Sequence, residues 1–147
     1  MSSQFFSMKN ELLRHTVATI RYRFLKSIEN RNEDYGFSSL GHGSRTPLEI
    51  IDHMIHVIRF AILQTEKMDY KELSFEKDIE HSAVQFEQVL SDIDNVFSEH
   101  EIDLSLSKKL LQGPLADVLT HIGQLSMLSR IFADPVKGEN YFVAKIE

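Results

Sequence analysis

Between Ile79 and Phe97 the apolar residues Ile79, Ala83, Phe86, Leu90, Ile93 and Phe97 recur at spacings of four, three, four, three and four. That period matches the ~3.6 residues per turn of an α-helix and draws one continuous apolar seam, suited to shallow packing angles in a bundle. A helix with such a seam must bury it against partners. The rest of the chain supplies three. From about Phe5 to Glu29 the helical stripe is Phe6, Leu13, Val17, Ile20, Phe24 and Ile28; from Pro47 to about Lys67 it is Ile50, Ile51, Met54, Val57, Ile58 and Ala61. From Gly113 to Phe132 one stripe collects Leu110, Asp117, His121, Gln124, Leu125 and Leu128, flanked by Val118 and Ile122. There is no convincing strand pattern, internal repeat or low-complexity tract. The 147 residues suit one domain with one proper core. The expectation is an all-α four-helix bundle occupying residues 1–147.

Punctuation agrees with four helices. Thr46-Pro47-Leu48-Glu49 is a capping box with proline at the first helical position. Residues 30–45, NRNEDYGFSSLGHGSR, break the periodicity with polar residues and three glycines and read as a long loop, with His42 exposed at its tip. Met68 to Lys77 reads as a polar connection, and Glu101 to Ser107 as another, before a short apolar turn at Leu110 and Leu111. Gly113-Pro114 then either starts a fresh helix or leaves a kink. Asp117 follows about one turn later, where a helix dipole favours negative charge. Asp134-Pro135 ends the last helix, and the tail beyond drapes over the bundle with Tyr141, Phe142 and Val143 as apolar anchors and Tyr141 within reach of a pocket.

Composition removes several classes of function. The absence of cysteine excludes disulfides, thiolate nucleophiles and cysteine-held zinc or iron–sulfur centres, so a metal would need His, Asp or Glu. A net charge of −6 without a basic block gives no footprint for nucleic acid. No run approaches the ~20 apolar residues that span a bilayer, and MSSQFFSMKNELLRH lacks a basic start followed by an uninterrupted apolar stretch, so no secretory signal is expected. No membrane role is expected, and the expected location is cytoplasmic. Gly-x-Ser-x-Gly and Gly-x-Gly-x-x-Gly are missing, and His53 and His56 stand three apart, unlike the pair in His-Glu-x-x-His proteases.

The chemistry gathers on the fourth helix. Asp117 and His121 are four residues apart and point the same way. A carboxylate taken out of water costs several kcal/mol, roughly, unless it is paired. Its partner is a cation from another helix, a charged His121, or a metal ion. His53 lies at the edge of the second helix's apolar stripe and can face inward; His56 lies further round, beside Glu49 and Asp52. His15, beside Glu11, reads as solvated, as do His81, Glu80, Glu87, Asp92 and Asp94. If helices two and four touch, His53, Asp117 and His121 converge on one ion and leave positions open for water or substrate. Zinc, iron, nickel or manganese would suit two imidazoles and a carboxylate. Such an ion activates water or polarises a bound oxygen or thiolate. On spacing alone, a hydrogen-bonded structural cluster is equally open.

The segments RTPLEIIDH, Arg45 to His53, and QGPLADVLTHIGQL, Gln112 to Leu125, resemble the DinB/YfiT-like superfamily of four-helix metalloproteins. The likeness covers essentially the whole chain. It implies an up-up-down-down bundle, a histidine-rich triad holding a divalent metal, and frequent homodimers. It also implies reactions that use low-molecular-weight thiols for transfer or isomerisation, or in some members hydrolysis. By position the triad is His53, Asp117 and His121. Asp117 stands where the commoner pattern has histidine, which lowers the charge of the site by one. The functional expectation is a metal-dependent enzyme of small-molecule chemistry, with Gln124 orienting a ligand or substrate. The competing expectation is a non-catalytic binding or stress protein in which the same residues form a structural or ligand-sensing cluster. A solvent-open cleft at the triad favours the first, and a sealed one the second.

Overall fold

A computed structural model describes residues 9–70 and 78–147. The helices are α1 (Glu11–Ser27), α2 (Pro47–Leu63), α3 (Ile79–Glu99), α4 (Leu104–Leu110) and α5 (Ala116–Phe132), and no strand occurs among the described residues. The expected contribution of Phe6, and the part of the second connection over residues 71–77, lie outside them. All six seam residues of α3 are buried, as are Leu13, Val17, Ile20 and Phe24 of α1 and Ile50, Ile51, Met54, Ile58 and Ala61 of α2. Phe24 and Phe86 meet ring to ring at 4.6 Å across the α1–α3 contact. Each buried valine, leucine, isoleucine, methionine or phenylalanine contributes about 1.5–3 kcal/mol by leaving water, and the alanines less. Val57 is only half-buried, and Ile55 takes a core place instead.

The helices pack in a ring, α1 and α2 each touching α3 and α5. Asn10 donates to the carbonyls of Phe97 and His100, Arg14 pairs with Asp94, Arg21 with Glu87 and Arg31 with Glu80, so α1 and α3 run antiparallel. The end of α1 meets the end of α5, where Asn30 reaches the Pro135 carbonyl and Asn32 that of Phe132. The end of α2 meets the end of α3, where Glu66 faces His100. The order is therefore up-down-down-up, not the expected up-up-down-down. The reason lies in where the helix ends fall. The long loop over 30–45 stays at one end, whereas the two helix ends joined by residues 64–78 lie at opposite ends.

That first loop is also less loose than its composition suggests. Tyr35, in the short 3-10 turn Tyr35–Phe37, is fully buried and donates its hydroxyl to the Leu125 carbonyl at 2.7 Å. Gly36 lies so close to Leu48 that an added Cβ would come within 3.0 Å of its side chain. The tip is the turn Gly41–His42–Gly43, all three at positive φ, and His42 is exposed as expected.

The capping box forms as read: Thr46 Oγ1 accepts from the Glu49 amide at 3.2 Å, and the Glu49 carboxylate accepts from the Thr46 amide at 3.1 Å. Thr46→Ala is expected to cost about 1 kcal/mol in chemical denaturation, with no change in helix content at low denaturant. A loss under about 0.3 kcal/mol would mean that tertiary packing alone sets the start of α2.

Two further expectations change. The polar link is shorter than Glu101 to Ser107, because Asp103 accepts from the Leu106 amide and starts a helix at Leu104. Pro114 neither starts a helix nor breaks one: it sits in a single π turn, Leu111–Leu115, that joins α4 to α5. The wider turn tolerates the missing amide and the bulk of the ring, and the Ala116 amide reaches back to the Leu111 carbonyl. The run from Leu104 to Phe132 is therefore continuous, and Asp117 gains no free helix N-terminus.

The tail packs on α1 through fewer anchors than expected. Glu139 accepts from Tyr22 and pairs with Lys26, and the Arg23 guanidinium lies 3.7 Å from the Tyr141 ring centre. Those contacts hold Glu139 below the usual carboxylate range, with the Lys26 hydrogen bond the largest cause. Tyr141 thus covers α1 rather than entering a pocket. Phe142 and Val143 are 95% and 69% exposed and anchor nothing among the described residues.

Candidate metal centre

Antiparallel packing of α2 on α5 brings His53 opposite the Asp117–His121 turn. His53 Nε2 lies 3.3 Å from Asp117 Oδ2, and His121 Nε2 lies 3.4 Å from the same oxygen. The two rings meet edge to face with centroids 4.7 Å apart. One ligand atom from each of the three residues falls within 4.8 Å of the other two, so the group can hold a metal ion. The capping box fixes where α2 begins, and the π turn sets the register in which Asp117 and His121 face it.

The surroundings test which partner Asp117 has. Among the described residues neither lysine nor arginine pairs with it; its ion-pair partners are the two histidines. Its side chain is 44% exposed, so the cost of its charge is smaller than a core position implies. Gln124, expected on the buried stripe, is exposed. Its carbonyl oxygen nevertheless lies 2.8 Å from His121 Nδ1 and accepts a hydrogen bond from it. With Nδ1 donating, a neutral His121 presents a lone pair at Nε2, directed at an anionic oxygen. Two lone pairs facing each other repel, and a cation among the three atoms or a proton on Nε2 relieves the repulsion. Holding the remote nitrogen by an outer hydrogen bond is how metal-binding histidines are commonly oriented. The donor set therefore fits a divalent ion.

Gln124→Ala is expected to lower metal affinity about 10- to 100-fold. Because Gln124 is exposed, the same change should leave unfolding within about 0.5 kcal/mol of the parent. Competition against a chromophoric chelator reads the first quantity and urea titration the second. An unchanged affinity would remove Gln124 from the site.

The triad opens to solvent. A groove of about 680 Å³ runs past it, lined by His53, His56, Val57, Phe60, Gln112, Gly113, Pro114, Ala116, Asp117 and Thr120. His121 lies behind this wall, 8% exposed. Thr120, on the lining, hydrogen-bonds its own helix at the Asp117 carbonyl. Nothing in the spacing pattern marks Phe60 or Pro114 as groove wall; only the α2–α5 contact does. The size suits a small molecule.

Elsewhere, His15, His42, His56 and His81 are exposed, as read from their helix faces and loop. Glu87, Asp92 and Asp94 are half-buried rather than solvated, with Glu87 and Asp94 held by arginines of α1. A second group able to hold an ion is Glu66, Glu99 and His100, at the joint end of α2 and α3. His100 Nε2 lies 3.3 Å from Glu66 Oε2, and the two residues are 34 apart in sequence, so no spacing signal joins them. Glu99 is exposed. No helix among the described residues is long and apolar enough to cross a membrane. Comparison with protein-family models, curated proteins and solved structures gives no match.

Proposed function

We propose that this protein is a divalent-metal-dependent enzyme of small-molecule chemistry, of DinB/YfiT-like type, with His53, Asp117 and His121 as ligands. The observation that carries the reading is the open groove beside the triad: a purely structural cluster has no use for about 680 Å³ of accessible space at its ligand atoms. When bound, the ion supplies Lewis acidity to an oxygen or sulfur of the reactant. The chain's own residues do the rest. Val57, Phe60 and Pro114 present an apolar wall that displaces water from one side of a reactant, while Gln124 keeps His121 in the tautomer that leaves Nε2 free. The resemblance adds a low-molecular-weight thiol as co-substrate in transfer reactions, with hydrolysis as the variant chemistry, and a cytoplasmic homodimer as the working form.

The test is turnover by metal-loaded, tag-free protein. One arm offers a low-molecular-weight thiol with an electrophile, and the other offers activated esters and amides. Metal-dependent turnover in either arm that disappears in His53→Ala supports an enzyme. Stoichiometric metal with no turnover in either arm favours the non-catalytic binding protein, for which the contacts of Asp117 with both histidines are the supporting observation.

A further inference from the structure

A second cleft, about 630 Å³ in volume, lies on the other side of Thr120 from the groove and is lined by Leu40, Arg45, Ile50, Gln124, Met127 and Leu128 among others. Thr120 lines both spaces, and Gln124 is at once a wall of this cleft and the hydrogen-bond partner of His121. The cleft thus reaches to one side chain from a ligand of the proposed centre.

Arg45 is its one cationic residue, in a chain whose net charge is −6. Three of the other arginines, Arg14, Arg21 and Arg31, face carboxylates, whereas Arg45 is exposed and has no carboxylate partner among the described residues. Glu49, one turn along, has its carboxylate on the Thr46 amide. No carboxylate lines the cleft, so nothing within it repels an anion. The remaining lining is chiefly apolar, with Ile50 and Leu128 buried and Leu40 and Met127 45% and 61% exposed. The rim is preformed, since Ser44 hydrogen-bonds back to the Gly41 carbonyl through both its amide and its hydroxyl.

From this juxtaposition we infer that the cleft is a subsite for a small carboxylic acid with an apolar body, its carboxylate on Arg45 and its body against Met127 and Leu128. The inference rests on the metal-enzyme reading for its meaning, because it names the substrate class of that same centre. A planar guanidinium matches a carboxylate in a two-bond fork. One cation among apolar walls suits a single negative charge better than a phosphate, which calls for several donors.

The test is a titration of the folded protein with hexanoate, and with hexanol as the uncharged control, read by the methyl resonance of Met127. It is run metal-free, metal-loaded and in His53→Ala. Hexanoate should give a saturable shift at least about tenfold stronger in affinity than hexanol, as a charge-assisted pair predicts. Arg45→Met should weaken hexanoate about tenfold and leave hexanol unchanged, with Arg45→Lys between. Equal binding of acid and alcohol, no effect of Arg45→Met, or no Met127 shift overturns the subsite. Hexanoate binding that persists in a protein that takes up no metal upholds the subsite and removes the metal reading. Metal uptake without hexanoate binding does the reverse.

Discussion

His121→Ala is expected to lower the affinity for a divalent ion by more than about 100-fold while far-UV circular dichroism stays near that of the parent. The lower bound comes from comparison: removing only an outer hydrogen-bond partner of a ligand costs about 10- to 100-fold, and this change removes the ligand itself. His121 supplies the least exposed nitrogen of the triad, and without it only His53 and Asp117 remain, one from each helix. The fold should survive because the neighbours that hold α5 in place, Val118, Ile122, Leu125 and Leu128, are untouched. Competition against a chromophoric chelator reads the affinity. An unchanged value would mean that His121 is a core residue hydrogen-bonded to Gln124 and no more.

Tyr35→Ala is expected to destabilise the protein by about 3–5 kcal/mol, as large aromatic truncations in cores do. Tyr35→Phe keeps the ring and should cost about 1–3 kcal/mol, because the Leu125 carbonyl is left without its donor. The two variants separate packing from hydrogen bonding in one urea titration series. The same residue makes a prediction about alkali. Burial raises the Tyr35 phenol above its ordinary value. In the unfolded chain a tyrosine ionises near pH ~10, so the stabilisation is complete below that pH and is lost as pH rises through the higher folded value. Stability measured between neutral pH and strong alkali should therefore fall less steeply in Tyr35→Phe than in the parent. A loss below about 1 kcal/mol for Tyr35→Ala would detach the loop from the core.

The periodic parts of the chain were legible because burial acts on whole helix faces. The 4-3-4-3-4 seam of α3 is buried at every position, and the capping box at Thr46 marks the start of α2 to the residue. Tyr35 escaped because an isolated buried ring in a glycine-rich polar loop, with its neighbour Phe37 exposed, leaves no periodic signal. Pro114 was ambiguous because a single π turn absorbs it, an outcome that neither a helix start nor a kink describes. The direction of α2 could not be read from loop length: the 30–45 loop is long because it caps one end and buries Tyr35, not because it traverses the bundle. The triad was assembled from faces, since Asp117 and His121 share one stripe by spacing, but the proximity of His53 required α2 and α5 to be neighbours. Gln124 shows the limit of stripe reasoning. It lies along the same face, yet at the margin, where a hydrogen bond to His121 and exposure to a cleft coexist.

Elemental analysis of purified, tag-free protein beside His53→Ala and His100→Ala decides whether the triad holds a metal. Close to one equivalent of a divalent metal per chain is expected, lost in His53→Ala and kept in His100→Ala, since the Glu66–Glu99–His100 group is not the proposed centre. Protein that stays metal-free after incubation with zinc, nickel, iron and manganese, or metal that survives His53→Ala and leaves with His100→Ala, would contradict it.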